Sequence, residues 1–150
     1  MCVIVDTNIA PLVLLVNGQN DYEPIRNALK NGKARLVAGG RLRRELGRSR
    51  EILRKFLEYE RSGKARLIPD SEVDREERNV VAEGTCRSDD QHIIALARVS
   101  GARLLCSDDG NLQADFGDRN ILEPKGNVYK YRKHAHLIGR HCVLLNVEQA

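Results

Sequence analysis

The sequence has few aromatic residues. It contains no tryptophan, four tyrosines and two phenylalanines, so that aromatic residues make up 4% of its 150 residues. Proteins that hold single-stranded nucleic acid by stacking successive bases need a row of exposed rings. The composition therefore argues against a base-stacking platform, and we expect any binding of nucleic acid to depend mainly on charge.

Long hydrophobic segments and paired cysteines are also missing. The longest apolar run, residues 12–16, is much shorter than the ~20 residues that cross a bilayer. The N-terminus has no basic segment, and Asp6 interrupts its first apolar stretch, which argues against a signal peptide. The four cysteines form no Cys-x-x-Cys motif, which excludes a zinc ribbon and a dithiol redox motif. We expect a cytoplasmic protein without membrane contact, in which all four cysteines are reduced.

Hydrophobic residues at 41% and charged residues at 31% favour one soluble globular domain. Periodicity and turn residues predict alternating elements. The predicted strands cover 2–5, 34–38, 65–68, 103–106 and 119–122. The predicted helices cover 8–17, 21–31, 40–61, 70–82, 88–100 and 110–115. This alternation predicts an α/β fold, a three-layer α/β/α sandwich around a parallel sheet.

A short sequence motif that recurs three times indicates how helices lead into strands. Gly32, Gly63 and Gly101 each follow a predicted helix and precede a short apolar run. Glycine at such a position can adopt the left-handed conformation that ends a helix. We place the main domain at residues 1–123 and a C-terminal extension, packed on the same domain, at 124–150. In that extension residues 128–131 suggest a strand, and residues 141–147 a strand or a short helix.

Charge is distributed unevenly along the chain. The net charge is +4, but residues 26–66 hold 14 Lys and Arg against four Asp and Glu, a local net charge of +10. Residues 67–123 hold six against 13, a local net charge of −7. A basic region beside an acidic one suits a nuclease, in which cations hold phosphates and carboxylates hold a metal. The candidate RNA-binding residues are Arg41, Arg43, Arg44 and Arg48. The alternative is that these arginines only solvate a helix face.

Four carboxylates occur where a metal site would need them. Asp6 follows the first apolar strand, and Asp109 follows the strand at 103–106. Ligands of open α/β sheets bind at the carboxyl ends of the strands, where the strand order reverses. Glu45 and Asp90 interrupt the apolar stripes of two predicted helices. Clustered carboxylates suit a hard cation such as Mg²⁺ or Mn²⁺.

Each of these carboxylates has an alternative interpretation. Glu45 could pair with a neighbouring arginine on its helix, Arg41, Arg44 or Arg48. Asp90 could belong to a helix cap, since Ser88-Asp89-Asp90-Gln91 has the form of a capping box. Asp108 competes with Asp109 for the role of ligand, and Ser107 could orient a metal-bound water or cap the next helix. The spacing of His134, His136 and His141 matches no strong metal motif, so phosphate contact or a plain surface role is favoured.

Taken in order, these segments resemble the PIN (PilT N-terminus) domain, in the small prokaryotic branch that includes the VapC-type toxins. The segments are Asp6-Thr7-Asn8, Glu45, Asp90 with Ile93-Ile94-Ala95-Leu96-Ala97, and Ser107-Asp108-Asp109 through Leu112 and Phe116. The resemblance covers residues 2 to about 123. The chain departs from the family at Asp108, where the family usually has a non-acidic residue, and in its longer tail beyond Pro124.

The resemblance implies a ribonuclease that depends on a divalent metal, frequent dimerisation and often a cognate antitoxin. By the same match Asp6, Glu45, Asp90 and Asp109 are the metal-binding acids, with Asn8 and Ser107 in support. The predicted function is thus that of an endoribonuclease that uses Mg²⁺ or Mn²⁺. A narrower form of this prediction makes the protein the toxin of a toxin–antitoxin pair. The alternative is a catalytically weak PIN-fold module that binds RNA or protein. A phosphohydrolase of the haloacid dehalogenase type would need Asp-x-Asp, whereas position 8 is Asn.

Overall fold

An all-parallel sheet forms the frame of the protein in a computed structural model that describes residues 1–15 and 20–139. Its strands in this part of the chain are β1 (Cys2–Val5), β2 (Arg35–Gly39), β3 (Ala65–Ile68), β4 (Leu104–Cys106) and β5 (Asn127–Val128). Their order across the sheet is β3-β2-β1-β4-β5. Every residue of β1 and β4 is buried, which matches the uninterrupted apolar runs typical of central parallel strands. The predicted α/β class with a parallel sheet is confirmed.

Six α-helices accompany the sheet in the described residues. They are α1 (Glu23–Lys30), α2 (Gly40–Leu46), α3 (Arg50–Arg61), α4 (Asp70–Glu83), α5 (Gln91–Ser100) and α6 (Gly110–Phe116). A π-helical turn at Pro11–Leu15 and a 3-10 helix at Arg132–Leu137 complete the elements. The predicted helix at 8–17 is thus reduced to one turn, and residues 16–19 lie outside the described part. None of the described helices combines the length and the apolar character that a bilayer span requires.

The recurring glycines end their helical segments as the sequence predicts. Gly32, Gly63 and Gly101 have φ angles of 80°, 76° and 80°. These angles lie in the left-handed region, which side chains with a Cβ rarely adopt. The chain then turns directly into β2, β3 and β4, so one kind of connection is used three times.

The single helix predicted for residues 40–61 is wrong, because the chain forms two helices there. α2 ends at Leu46, and the Ser49 hydroxyl accepts a hydrogen bond from the Ile52 amide at 3.4 Å, which caps α3. The break changes which face of α3 is buried. Ile52 and Phe56 are buried, whereas the neighbouring Leu53 is 38% exposed.

Two glycines fix the direction in which α2 leaves the sheet. Gly40 has a φ of +59°, and a Cβ at this position would lie 2.7 Å from Val73 Cγ1. A Cβ on Gly39 would lie 2.7 Å from the Ile68 carbonyl oxygen. The Gly40 amide also donates to Asp70 Oδ1 at 2.8 Å. Close packing of α2 on α4 therefore depends on the lack of side chains here, and it sets where Glu45 points.

The strand predicted at residues 119–122 is wrong, and the strand suggested for residues 128–131 is present only at Val128, within β5. Residues 119–122 form a turn instead of a strand, because the Ile121 and Leu122 amides both donate to the Asp118 carbonyl oxygen, at 3.0 and 2.9 Å. Their apolar side chains are still buried, which explains the strand-like pattern. The fifth strand is Asn127–Val128, which follows residue 123 and pairs with β4. The predicted element at 141–147 lies outside the described residues.

Among the described cysteines, the structure differs from the prediction at Cys2. Cys2 is disulfide-bonded, whereas Cys86 and Cys106 carry free thiols. Spacing along the sequence was no guide because the fold brings distant segments to β1. For example, the Gly139 amide donates to Met1 Sδ at 2.9 Å.

Candidate functional site

The carboxyl ends of β1 and β4 form the centre of the candidate site. The chain runs outward from β1 to β2 and β3, then returns to the other side of β1 with β4, so the strand order reverses between β1 and β4. This reversal creates a crevice where ligands of α/β proteins bind. Asp6 leaves β1 at this point, and its amide donates to the Cys106 carbonyl oxygen of β4 at 2.9 Å. The predicted positions of Asp6 and Asp109 therefore lie beside the crevice.

Asp6 is held by two hydroxyl groups. It is only 4% exposed, and its Oδ2 accepts a hydrogen bond from Ser107 Oγ at 2.8 Å. Thr7 Oγ1 lies 3.4 Å from Asp6 Oδ1 and 3.3 Å from Glu45 Oε2, so its single proton can be donated to either carboxylate. Burial raises the pKa of Asp6, while the Ser107 hydrogen bond acts in the opposite direction. Ser107 thus supports Asp6, as the sequence indicates.

Glu45 reaches this cluster from α2. Besides Thr7, its neighbour is His92 on α5, with 3.9 Å between His92 Nε2 and Glu45 Oε2. In the described part of the chain Glu45 forms no ion pair with arginine, so the alternative interpretation of Glu45 does not describe this structure. The Glu45 side chain thus faces Thr7 and His92 and not the arginine-rich surface of α2.

Asp90 and Asp109 meet at the opposite side of the cluster. α5 begins at Gln91, so Asp90 occupies the cap position, but its side chain makes no capping hydrogen bond. The Asp90 carboxyl instead lies near those of Asp6, Asp109 and Glu45. Burial, which is the largest cause, and these neighbouring carboxylates raise the pKa of Asp90 to about 6.

The predicted capping box at Ser88 is wrong. Ser88 lies before the helix, where its amide donates to Asp115 Oδ2 at 2.9 Å and its hydroxyl accepts from the Asp90 amide at 2.9 Å. Asp115 is fully buried and accepts two further bonds from the Arg87 amide. The loop before α5 is therefore anchored through Asp115, and this leaves the Asp90 side chain free to face Asp109.

The side chains of Asp108 and Asp109 make different contacts. Asp109 Oδ1 accepts hydrogen bonds from the Asn111 and Leu112 amides at 3.0 and 3.2 Å, which caps α6. Asp108 is exposed and accepts a hydrogen bond from the Asn8 side-chain amide. The contact with Asp90 therefore belongs to Asp109, and Asn8 supports Asp108 instead of a member of the cluster.

Two members of the site were missed in the sequence. Thr7 bridges Asp6 and Glu45, and nothing in its spacing signals this contact. His92 is 1% exposed, and neither ring nitrogen has a hydrogen-bond partner in the described residues. Burial lowers the pKa of His92, which favours the neutral ring. A histidine inside the apolar run that follows Asp90 was the available signal, because buried polar groups need partners.

The donor set fits a hard divalent cation. All four acids supply oxygen, the ligand that Mg²⁺ and Mn²⁺ prefer, and their mutual repulsion is the kind that a cation relieves. A complete coordination shell is not formed, because within residues 1–15 and 20–139 no three His, Cys, Asp or Glu side chains are placed to hold one ion together. Because its pKa is raised to about 6, Asp90 would have to lose its proton before it could bind a metal.

Three of the four candidate RNA-binding arginines join α2 to α4. Arg43 Nη2 lies 2.5 Å from Asp70 Oδ2, Arg44 Nη2 lies 3.2 Å from Asp74 Oδ1, and Arg41 Nη2 lies 2.9 Å from Glu77 Oε2. The basic and acidic regions of the sequence thus partly neutralise each other. Arg48 is the member of the set that has no ion-pair partner among the residues described.

We expect the change Arg43→Gln to act on stability. Arg43 binds Asp70 through two hydrogen bonds, of 3.0 and 2.5 Å, at the contact between α2 and α4. Its loss should lower the free energy of unfolding by about 0.5–1 kcal/mol, the scale of well-oriented surface pairs. Urea denaturation measures this change. Arg48→Gln is the control, and equal destabilisation by both changes would contradict a structural role for the Arg43 pair.

Searches of protein-family models, curated proteins and solved structures found no match to this chain.

Proposed function

We propose that this protein is an endoribonuclease that hydrolyses RNA phosphodiester bonds with Mg²⁺ or Mn²⁺. The observation that supports it most is the meeting of four carboxylates, from β1, α2, α5 and β4, at the reversal of strand order. Thr7 links Asp6 to Glu45, and Asp90 lies near enough to Asp6, Asp109 and Glu45 for their charges to raise its pKa. Acids from four separate segments are seldom collected without a cation to bind.

Each residue has a defined task in this proposal. Asp6, Glu45, Asp90 and Asp109 would hold the metal, which when bound supplies an activated water and stabilises the leaving 3′-oxygen. The Ser107 hydroxyl fixes the orientation of Asp6, and Thr7 holds Glu45 beside it. Because Asp109 uses Oδ1 to cap α6, its Oδ2 remains for the metal.

The wider assignment is also a proposal. The parallel sheet with its helices is compatible with a three-layer α/β/α sandwich, the architecture that the resemblance to PIN domains implies. We extend the proposal to a homodimer in the cytoplasm and to an antitoxin partner. The homodimer and the antitoxin rest on the resemblance alone.

One observation favours a second candidate. In the described residues the acids do not form a ready metal centre, and Asp90 retains a proton up to a pH of about 6. A PIN-fold module with weak catalysis, which binds RNA or protein, would have such a site.

Cleavage of a labelled single-stranded RNA separates the two candidates. We expect cleavage with Mg²⁺ or Mn²⁺ and none with EDTA, and the internal position of the products identifies an endonuclease. Asp6→Asn protein purified in parallel controls for contaminating ribonuclease. Cleavage that persists in EDTA would contradict the metal-dependent mechanism. Absence of cleavage at high protein concentration with either metal would favour the binding module.

A further inference from the structure

The segment after β5 returns the chain to the same edge of the sheet as the carboxylates. β5 pairs with β4 in parallel, with Val128 beside Leu105. The Tyr129 amide continues this ladder by donating to the Leu105 carbonyl oxygen at 2.8 Å. Parallel strands end at a common edge, so residues 129–137 leave the sheet next to the loop that carries Asp108 and Asp109.

Most of the chain's tyrosines gather at this place. The ring centroids of Tyr22 and Tyr129 are 5.9 Å apart, and those of Tyr131 and His134 are 5.6 Å apart. Tyr129 is fully buried, and its hydroxyl donates to the Asp21 carbonyl oxygen at 2.6 Å. Tyr131 is 51% exposed. The few aromatic rings of the sequence are thus concentrated in one place, where the Tyr131 ring is exposed to solvent and the Tyr129 ring is buried.

His134 fixes the turn that presents Tyr131. Its Nδ1 accepts hydrogen bonds from the Lys130 and Tyr131 amides at 3.0 and 3.2 Å. The Arg132 amide donates to Asp21 Oδ1 at 3.2 Å, and the Arg132 guanidinium donates to the Asn20 carbonyl oxygen at 2.8 Å. The exposed ring is therefore held in place before any ligand arrives, which lowers the entropic cost of binding.

Two lysines that have no carboxylate partner among the described residues lie near the exposed Tyr131 ring. Lys133 Nζ lies 5.5 Å from the Tyr131 ring centroid. Lys130 also lies close, because both lysines and His136 contribute, after burial, to lowering the pKa of His134. Neither lysine has a carboxylate partner in the described part of the chain, in contrast to Arg132, which lies 3.7 Å from Glu23. A negatively charged ligand would find these ammonium groups available.

Tyr22 and Tyr129 connect this surface to the acid site. Their ring centroids lie 5.9 Å apart, and Tyr129 is hydrogen-bonded to β4 through the Leu105 carbonyl oxygen. A chain that passes over Tyr131 would therefore arrive at the loop after β4, which carries Asp109.

We infer that Tyr131, Lys130 and Lys133, here called the tail platform, bind single-stranded RNA and lead it to the carboxylates. The choice of RNA as substrate rests on the proposed function. One base stacks on the Tyr131 ring and displaces the Lys133 ammonium, which then contacts a phosphate. An unpaired strand is required, because bases in a duplex have no free face to stack. An acidic peptide would use the lysines but not the ring.

Binding is measured by fluorescence anisotropy of a labelled unstructured RNA in EDTA, which prevents cleavage. The two components of the tail platform should give different signatures. Tyr131→Ala should weaken binding about tenfold, the order expected for one stacked base, with an unchanged salt dependence. Lys133→Gln should reduce the slope of log affinity against log salt by about 0.7, the loss of one phosphate contact. Tyr131→Phe should retain the wild-type affinity.

Lys55→Gln is the matched control. Lys55 Nζ lies 5.4 Å from the Tyr59 ring centroid, but that ring is buried and can accept no base. This change should leave both affinity and salt slope as in the wild type. Wild-type affinity in Tyr131→Ala, equal binding of duplex RNA, or no binding of RNA at all would overturn the tail platform. Tight binding by the tail platform without cleavage in Mg²⁺ or Mn²⁺ would support it and instead contradict the proposed nuclease.

Discussion

Replacing Asp90 with Asn should lower metal-dependent RNA cleavage by at least about 100-fold. Loss of an outer partner of a metal ligand already costs about 10–100-fold, and loss of a ligand should cost more. Asp89→Asn is the matched control, since Asp89 is the adjacent acid, is exposed and does not face the cluster. It should retain activity within about twofold. Single-turnover cleavage at saturating RNA measures both changes, and equal activity in the two variants would contradict the assignment of Asp90.

The same pair of variants should differ in stability without metal. The pKa of Asp90 is raised from 3.8 to about 6 in the folded protein, so between these values the folded state binds more protons than the unfolded state. The wild type should therefore lose stability as the pH rises from about 4 to 6. Thermal unfolding in EDTA should show a smaller loss in Asp90→Asn than in Asp89→Asn. Identical pH profiles would mean that the pKa of Asp90 is not raised in the folded protein.

Asp109→Asn should reduce cleavage far more than Asp108→Asn, by about 100-fold or more against less than about fivefold. Asparagine keeps the oxygen that caps α6, so the change removes the charge and leaves the helix intact. At position 108 asparagine likewise keeps an oxygen that can accept from Asn8. The comparison thus isolates the carboxylate charge at each position, measured as the cleavage rate under saturating metal. The reverse ranking would place the metal at Asp108 and the Asp90–Asp109 contact outside the site.

The sequence predicted the sheet better than the helix boundaries. Strand β1 matches its predicted range because it is uniformly apolar and is followed by Asp6. Edge strand β3 matches because Gly63 and Pro69 mark the turns on either side of it. The helix at 40–61 was predicted as continuous because the apolar period crosses the break, although Gly47 and Ser49 are typical of helix ends. The buried turn at Ile121 and Leu122 resembled a strand because burial and strand pairing produce the same apolar pattern over a few residues.

The candidate site was likewise predicted in part: its acidic residues were found, but the contacts between them were not. Asp6 and Asp109 were found from strand ends, and Glu45 and Asp90 from their places in the apolar stripes of two predicted helices. The contact between Asp90 and Asp109 and the Thr7 bridge join residues that are distant in sequence, and no local pattern encodes them. The sequence showed which region is basic and which is acidic. However, three of the four arginines chosen as RNA-binding residues pair with the acids of α4. Pairing of this kind depends on how α2 leaves β2, which the close packing of Gly40 on Val73 determines.

Calorimetric titration with Mn²⁺ near pH 6 tests the central claim most directly, because that pH lies close to the pKa of Asp90. If the carboxylates form the metal site, the wild type and Asp89→Asn should bind Mn²⁺ and release the proton of Asp90. The heat should then depend on the ionisation enthalpy of the buffer. Asp90→Asn should bind more weakly and release no such proton. Wild-type affinity and proton release in Asp90→Asn, or no binding by the wild type at millimolar Mn²⁺, would contradict a metal site at these carboxylates.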